Sequence, residues 1–162
     1  MSLSVPARAR RVLSLLTVIA IPVACTALGL EGGTSERAQL ERQKVRWVNQ
    51  HLSSYRFTYN VTCFCGGVRG PIEIEVRNGT VARAVYTVTD EPVPIEVHDD
   101  LPTIDVLFRV IARAITDRAD LLDVDYHPTM GYPTRISLDH SFTTADDEFV
   151  HTANSLRPLV PE

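Results

Sequence analysis

Apolar and polar residues alternate over residues 55–65, and this alternation predicts a β-strand. From Tyr55 to Cys65 an apolar residue occupies every second position, while polar residues such as Arg56 and Thr58 lie between them. Successive side chains of a strand point to opposite faces of a sheet, so this pattern indicates one buried face and one exposed face.

Two further strands are predicted directly after the first. The segment 71–77 again alternates, and Asn78-Gly79 after it is a strong signal for a two-residue hairpin turn. The next strand, Thr80–Val88, changes parity near Ala82-Arg83. An extra residue in one strand produces such a change, so a β-bulge is expected there.

The second half of the chain contains a similar series of strand patterns. Alternation over Leu122–His127 is followed by a turn rich in Pro and Gly, and then by a predicted strand over Thr134–Phe142. A last strand is expected from Glu148 to about Leu156.

Helices are predicted before each series of strands. The first covers Ser35–Leu52, which is highly charged and has only a moderate apolar stripe. The second begins with Thr103 as its cap and Asp105 in its first turn. Its apolar face consists of Ile104, Leu107, Phe108, Ile111 and Ile115.

The order of elements predicts the fold class. Helix and three strands occur twice, and Pro71, Ile74 and Val76 match residues 62 positions later. We therefore expect an α+β domain in which two helix-plus-three-strand units form an antiparallel sheet with both helices on one face. The opposite face would carry threonines and four acidic residues, Glu73, Glu75, Asp123 and Asp125.

The first 24 residues have the pattern of a lipoprotein signal peptide. Three arginines, Arg8, Arg10 and Arg11, precede an uncharged apolar stretch that ends in Val23-Ala24-Cys25. This resembles a bacterial lipobox, in which the cysteine is lipidated, although Pro22 replaces the usual aliphatic residue. The sequence predicts a signal peptide over residues 1–24, a tether over 25–34, and one domain over 35–162.

Two other interpretations of the start of the chain stay open. The uncharged stretch runs from Val12 to Leu30, nineteen residues, which is long enough for an uncleaved helical anchor. A plain signal peptide cut after Ala27 is the other. All three interpretations place the domain outside the cytoplasm, and the lipoprotein interpretation anchors it to the extracytoplasmic face of a bacterial membrane.

Removal of the signal peptide makes the remaining chain strongly acidic. Of 16 Lys and Arg residues three lie before Cys25, and none of the 20 Asp and Glu residues does, so 13 positive and 20 negative charges remain, a net −7. An acidic domain repels phosphate backbones, which argues against nucleic acid as a partner.

Six short motifs characterise the region from about Trp47 to Leu156. They are Ser54-Tyr55-Arg56-Phe57-Thr58-Tyr59, Cys63-Phe64-Cys65, Arg77-Asn78-Gly79, Pro102-Thr103-Ile104-Asp105 with Leu107-Phe108, Gly131-Tyr132-Pro133, and Ala145-Asp146-Asp147-Glu148. In this order they resemble the bacterial domain of unknown function 6174, which occurs in short exported lipoproteins. The resemblance implies export and one α+β domain. It supplies no catalytic residue, because the family has no assigned activity.

Cys63 and Cys65 form the sharpest local motif. Alternate strand residues share a face, and their Cα atoms lie about 6.6–6.8 Å apart in an ideal strand, near the upper limit for a disulfide. A structural disulfide or two buried thiols are the simpler interpretations. A reducible redox pair or a soft-metal site is the functional alternative.

Other constellations that support catalysis or metal binding are missing from the sequence. The five histidines show no metal-ligand spacing, and no nucleophile motif, phosphate loop or dinucleotide-binding motif occurs. His140 shares the parity of apolar neighbours and is expected at the edge of the core. We therefore expect a binding module without catalytic residues, cofactor or metal, whose open sheet face or edge contacts a protein or cell-envelope partner.

Overall fold

A computed structural model describes residues 31–63, 70–144 and 148–160. The helices are α1 (Glu31–Val48), α2 (Ile104–Asp117) and a short 3-10 helix (Ile95–Asp100). The strands are β1 (Tyr55–Cys63), β2 (Ile72–Arg77), β3 (Thr80–Tyr86), β4 (Leu121–Tyr126), β5 (Pro133–Asp139) and β6 (Glu148–Pro158). The predicted signal peptide, Cys25 and Cys65 lie outside the described residues.

All six strands belong to one antiparallel sheet. Its order is β3-β2-β1-β6-β5-β4, so β1 and β6 are central, and β3 and β4 are the edges. The inward positions of the strands form the core together with the helices. The inward residues that are buried include Tyr55, Phe57, Tyr59, Ile72, Ile74, Val76, Ile136, Leu138 and Ala153. The predicted α+β class with an antiparallel sheet is confirmed.

Tyr55 contacts both α-helices, which places them on the same face of the sheet. Its ring packs edge-on against Trp47 of α1, with centroids 5.3 Å apart. Its hydroxyl oxygen accepts a hydrogen bond from the backbone N–H of Ile104 at 3.1 Å. Thr103 accepts from Val106 N at 3.3 Å, as its predicted capping role requires. Two of the N–H groups at the start of α2 are thereby satisfied.

The structure confirms the predicted turn between β2 and β3 and the predicted bulge in β3. Asn78 and Gly79 both have positive φ, 50° and 78°, as a type I′ turn requires. The β2–β3 register passes from Glu75–Arg83 to Val76–Val81, which leaves Ala82 as the predicted bulge.

The predicted bounds of the first helix were wrong, and one helical element was not predicted. α1 begins at Glu31 and ends at Val48, not at Ser35 and Leu52, and the chain turns away at His51, which has a φ of 53°. The 3-10 helix before α2 was not predicted, so the chain is more than two helix-plus-three-strand units.

The two halves of the sheet are not related as structural copies. Suppose that β1, β2 and β3 are superposed on β4, β5 and β6. The matched strands then have the same left-to-right order in the sheet, but each pair runs in opposite directions. The rotation that relates two such sets of strands is a half-turn about an axis across the strands, and it exchanges the two faces of the sheet. Two structural copies would therefore have α1 and α2 on opposite faces. Both lie on one face, so the correspondences 62 residues apart do not reflect a repeated arrangement.

No helix in the described ranges combines the length and the apolar character that a membrane span needs. The apolar stretch Val12–Leu30 falls before these ranges.

Candidate functional site

The open face of the sheet, opposite the helices, has balanced charges. Arg56 lies 3.8 Å from Glu73 and 4.0 Å from Glu75, and Arg135 lies 3.2 Å from Asp123. The acidic residues are those that the sequence placed on this face, and the alternation in β1 placed Arg56 there as well, whereas Arg135 was not singled out. Partly exposed pairs of this kind contribute little to stability, and they neutralise each other. Around these pairs the open face has little net charge, whereas Asp125, on the edge strand β4, is exposed and has no cationic partner among the described residues.

The two edges of the sheet differ in how far they are covered. At β3, the chain returns alongside the strand: Val93 N donates to Ala84 O at 3.0 Å, and Tyr86 N donates to Glu91 O at 2.9 Å. β4 has no strand on its outer side among the described residues. The backbone N–H and C=O groups that point outward from β4 are therefore open to another chain.

A groove of about 290 Å³ runs between the β4 edge and the two α-helices. Leu122, Val124 and Tyr126 line it from β4, with Ile111 and Ile115 from α2. Glu36 and Gln39 of α1 and Asp123 of β4 complete the lining, although the Asp123 carboxylate is paired with Arg135 on the open face. The groove therefore combines apolar side chains from β4 and α2 with polar side chains from α1, among them the exposed carboxylate of Glu36. We call it the β4 groove.

A second depression, of about 450 Å³, lies between the C-terminal half of α2 and strands β5 and β6. We call it the histidine trough. It is lined by Val110, Arg113, Asp117, Leu138, His140, Phe149 and His151. Leu138 lies opposite Phe149 in the sheet, and the two histidines lie two residues from this pair in opposite directions. Their Cα atoms are therefore about 14 Å apart, one at each end of the trough.

Tyr59 fixes the tautomer of His151. The Tyr59 hydroxyl lies 2.8 Å from His151 Nδ1. Burial raises the pKa of Tyr59 and lowers the pKa of His151, so the phenol keeps its proton and the imidazole is neutral. The hydroxyl has no other acceptor among the described residues, so it donates to Nδ1. The imidazole proton therefore lies on Nε2.

Arg113 has unused hydrogen-bonding capacity beside the trough. Its Nε donates to Asp117 Oδ2 at 3.2 Å, one turn along α2. In the described structure its two terminal amino groups have no partner. Arg113, Phe149 and His151 were not singled out from the sequence. The parity that pointed to His140 also applies on the next strand, where Phe149, His151 and Ala153 share the inward face.

The structure records Cys63 as disulfide-bonded at the end of β1. Cys65 and Cys25 lie outside the described residues, so the pairing of the two candidate redox cysteines and the lipidation of Cys25 stay predictions. Cys63 lies opposite Phe149 in the sheet, and the disulfide therefore lies next to the histidine trough. Within the described ranges no three His, Cys, Asp or Glu residues are grouped as a metal site would require.

Residues 39–158 match a known family, described as a family of unknown function (DUF6174). This range includes the β4 groove from Gln39 onward, the histidine trough and every strand of the sheet. The chain belongs to the DUF6174 family. No curated protein and no solved structure matches it.

Membership in DUF6174 confirms the family that the six motifs suggested. It assigns no activity to any residue, so a role has to be inferred from the geometry of the DUF6174 domain itself.

Proposed function

We propose that this DUF6174 domain is an extracytoplasmic lipoprotein module, anchored through a lipid on Cys25, that binds a partner protein and catalyses no reaction. The pattern of residues 8–25 supports the anchor. The observation that carries the binding role is the open edge of β4 beside the β4 groove.

The partner in this proposal is an extended segment that adds a seventh strand to the sheet. Main-chain hydrogen bonds to β4 supply affinity in such a complex, and alternate side chains supply specificity. One set of alternate side chains would enter the β4 groove, beside Leu122 and Val124, and should be apolar. The other set would lie on the open face, beside Asp123 and Asp125.

Charge favours a basic partner over an acidic one. Asp125 and Glu36 have no cationic partner among the described residues, and both are exposed. The chain after Cys25 carries a net −7, which attracts a cationic segment before contact. Opposite charges directly across a strand pair add about 0.2–1 kcal/mol each. The proposed segment therefore alternates apolar residues with Lys or Arg.

The same charges disfavour a second copy of this chain as the occupant. Antiparallel pairing of two β4 strands would bring Asp123 and Asp125 of one copy close to those of the other. Like charges across a strand pair are destabilising. Carboxylates on an edge strand thus oppose self-association while they leave the edge open to a basic segment.

A pair of synthetic peptides tests this proposal. One is a capped seven-residue peptide of alternating Lys and Val, and the other has Glu in place of every Lys. We expect the Lys peptide alone to bind, with slower amide hydrogen exchange in β4 and a weaker affinity at high salt. Equal binding of both peptides, or protection at β3 instead of β4, would overturn the proposal.

Two double variants distinguish docking at the β4 edge from general electrostatic attraction to the acidic domain. Asp123→Asn with Asp125→Asn should weaken the Lys peptide about two- to thirty-fold, since two pairs of about 0.2–1 kcal/mol are lost. Glu73→Gln with Glu75→Gln removes the same charge from the same face, on β2, and should leave the affinity nearly unchanged. Equal losses in the two double variants would contradict docking at β4.

A second candidate function, thiol-redox chemistry or soft-metal handling by Cys63 and Cys65, keeps one supporting observation. Cys63 is disulfide-bonded, and exposed or strained disulfides are the reducible ones. Soft-metal binding requires thiolates, which a disulfide does not offer until it is reduced. Thiol counting separates this candidate from the binding role.

A further inference from the structure

The histidine trough combines an apolar interior with several hydrogen-bond donors. It shares no lining residue with the β4 groove. Val110, Leu138 and Phe149 supply its apolar surface, and its volume of about 450 Å³ is within the usual range for small-molecule pockets. Phe149 lies between the two histidines, with its ring centroid 6.4 Å from that of His140 and 6.1 Å from that of His151, so an apolar ligand chain would lie along Phe149.

The polar atoms around the trough are mostly donors. His151 presents Nε2–H, because Tyr59 donates to its other nitrogen. Arg113 has two terminal amino groups without a partner among the described residues, and its Nε is already paired with Asp117. Asp117 is the single carboxylate in the lining, and this pair neutralises it. The surplus of donors calls for an acceptor in the ligand.

We propose that the histidine trough binds a small amphipathic monocarboxylate. Its apolar chain lies against Leu138 and Phe149, and its carboxylate accepts hydrogen bonds from Arg113 and from His151 Nε2–H. A planar guanidinium binds a carboxylate through two parallel hydrogen bonds, so the two free amino groups of Arg113 match this ligand. A cationic head group would meet the Arg113 guanidinium and the Nε2–H donor of His151, and is therefore disfavoured by the same arrangement.

Octanoate, 1-octanol and octylammonium are suitable probes because they share one apolar chain and differ in the head group. We expect titration calorimetry of the mature protein to give an affinity for octanoate about tenfold higher than for 1-octanol, with octylammonium weakest. Binding of 1-octanol or octylammonium as tightly as octanoate, or no binding of octanoate, would overturn the proposal.

Two arginines on the same helix give a charge-matched control. Arg113→Gln should lower the octanoate affinity about tenfold and leave the 1-octanol affinity unchanged. Arg109→Gln removes the same charge from an exposed position of α2 that does not line the trough, and should change neither affinity. Equal effects of the two substitutions would overturn the assignment of Arg113.

The imidazole of His151 provides an independent readout. A bound carboxylate beside Nε2 stabilises the imidazolium, so octanoate should raise the pKa of His151 in an NMR titration. Phe149→Ala, with its fold checked by the amide spectrum, should weaken octanoate and 1-octanol alike. An unchanged His151 titration at saturating octanoate would show that the carboxylate lies elsewhere and overturn the proposal.

Discussion

Burial makes His151 sensitive to acid. Its pKa is lowered because desolvation disfavours the imidazolium, and Tyr59 donates to its neutral form. The unfolded chain therefore takes up a proton first as the pH falls through about 6.5. The stability that neutral His151 contributes is complete above that pH and is lost as the pH falls towards its folded pKa.

His151→Gln tests this linkage, because glutamine retains a hydrogen-bond acceptor and does not titrate. We expect the free energy of unfolding of the original protein to fall more steeply between pH 7 and pH 5 than that of the variant. Urea unfolding across this range measures both slopes. At pH 8 His151 is neutral in the folded and the unfolded chain, so the difference in unfolding free energy between the two proteins at that pH isolates the effect of the substitution on packing. Parallel curves would contradict the assignment.

The cysteines allow a direct choice between structure and redox chemistry. We expect no free reactive thiol in the native mature protein, because Cys63 is disulfide-bonded and Cys25 is predicted to carry a lipid. Replacing Cys63 and Cys65 by Ser should lower stability only modestly, since closing so short a loop restricts the unfolded chain little. Thiol counting before and after denaturation checks the first point. Rapid labelling of the native fold, or stoichiometric zinc or copper released on unfolding, would favour the redox or metal alternative.

Residues of the trough were harder to predict than residues of the core. Period-two alternation identified Tyr55, Phe57 and Tyr59 as buried, and they are. The significance of His151 depends on a hydrogen bond to a residue 92 positions away. A local pattern carries no information on such a contact, because it arises only when β1 and β6 pair.

At the scale of elements, Gly131 sets the distance between the β4–β5 turn and α1. Its φ is +81°, and a Cβ at this position would lie 2.6 Å from Gln43 O and 2.9 Å from Arg46 Cβ. Arg46 also donates to Pro128 O at 2.9 Å. The turn and the helix thus pack backbone to backbone, which only glycine permits here.

Gly131→Ala should therefore destabilise the domain more than Gly79→Ala. Gly79 has a similar φ of +78°, but a Cβ there would meet open space, so alanine costs about 1–2 kcal/mol of backbone strain. Gly131→Ala adds the displacement of α1, and we expect it to cost at least about 1 kcal/mol more. Denaturant unfolding of the two variants measures the difference. Equal midpoints would mean that α1 moves freely away from the turn.

Elements with strong local signals were predictable, and those held by distant contacts were not. The Asn78-Gly79 turn, the Ala82 bulge and the Thr103 cap follow from turn chemistry, parity and capping preference. The 3-10 helix has no such signal. It is held in part by His98 Nε2, which donates to Val93 O at 3.0 Å, in the segment that covers β3.

The order of the strands in the sheet could not be predicted from the sequence either. The repeated order of helix and strands suggested two equivalent units, but the order β3-β2-β1-β6-β5-β4 makes them inequivalent. That order places β4 at an edge and β6 at the centre. Both proposed binding sites depend on it, because the β4 groove needs a free edge and the trough needs β5 beside β6.

At the scale of the whole molecule, a lipid anchor on Cys25 would determine where the β4 groove lies. Five residues lie between Cys25 and Glu31, the first residue of α1, so the two are at most about 20 Å apart when this segment is fully extended. Glu36, in the second turn of α1, lines the groove. A lipid on Cys25 would therefore hold the groove near the bilayer, and the basic segment that it binds would belong to a partner at the same membrane.

Cys25→Ala distinguishes the three interpretations of the first 30 residues. If Cys25 carries the lipid, the variant should leave the membrane fraction or accumulate unprocessed, and Thr26→Ala, its neighbour, should fractionate like the original protein. An uncleaved helix over Val12–Leu30 would keep both variants in the membrane at unchanged size, because alanine at either position leaves this segment uncharged and apolar. A signal peptide cut after Ala27 would release the original protein and both variants alike. Fractionation with mass spectrometry of the mature N-terminus measures each outcome, and only the first supports a lipid anchor.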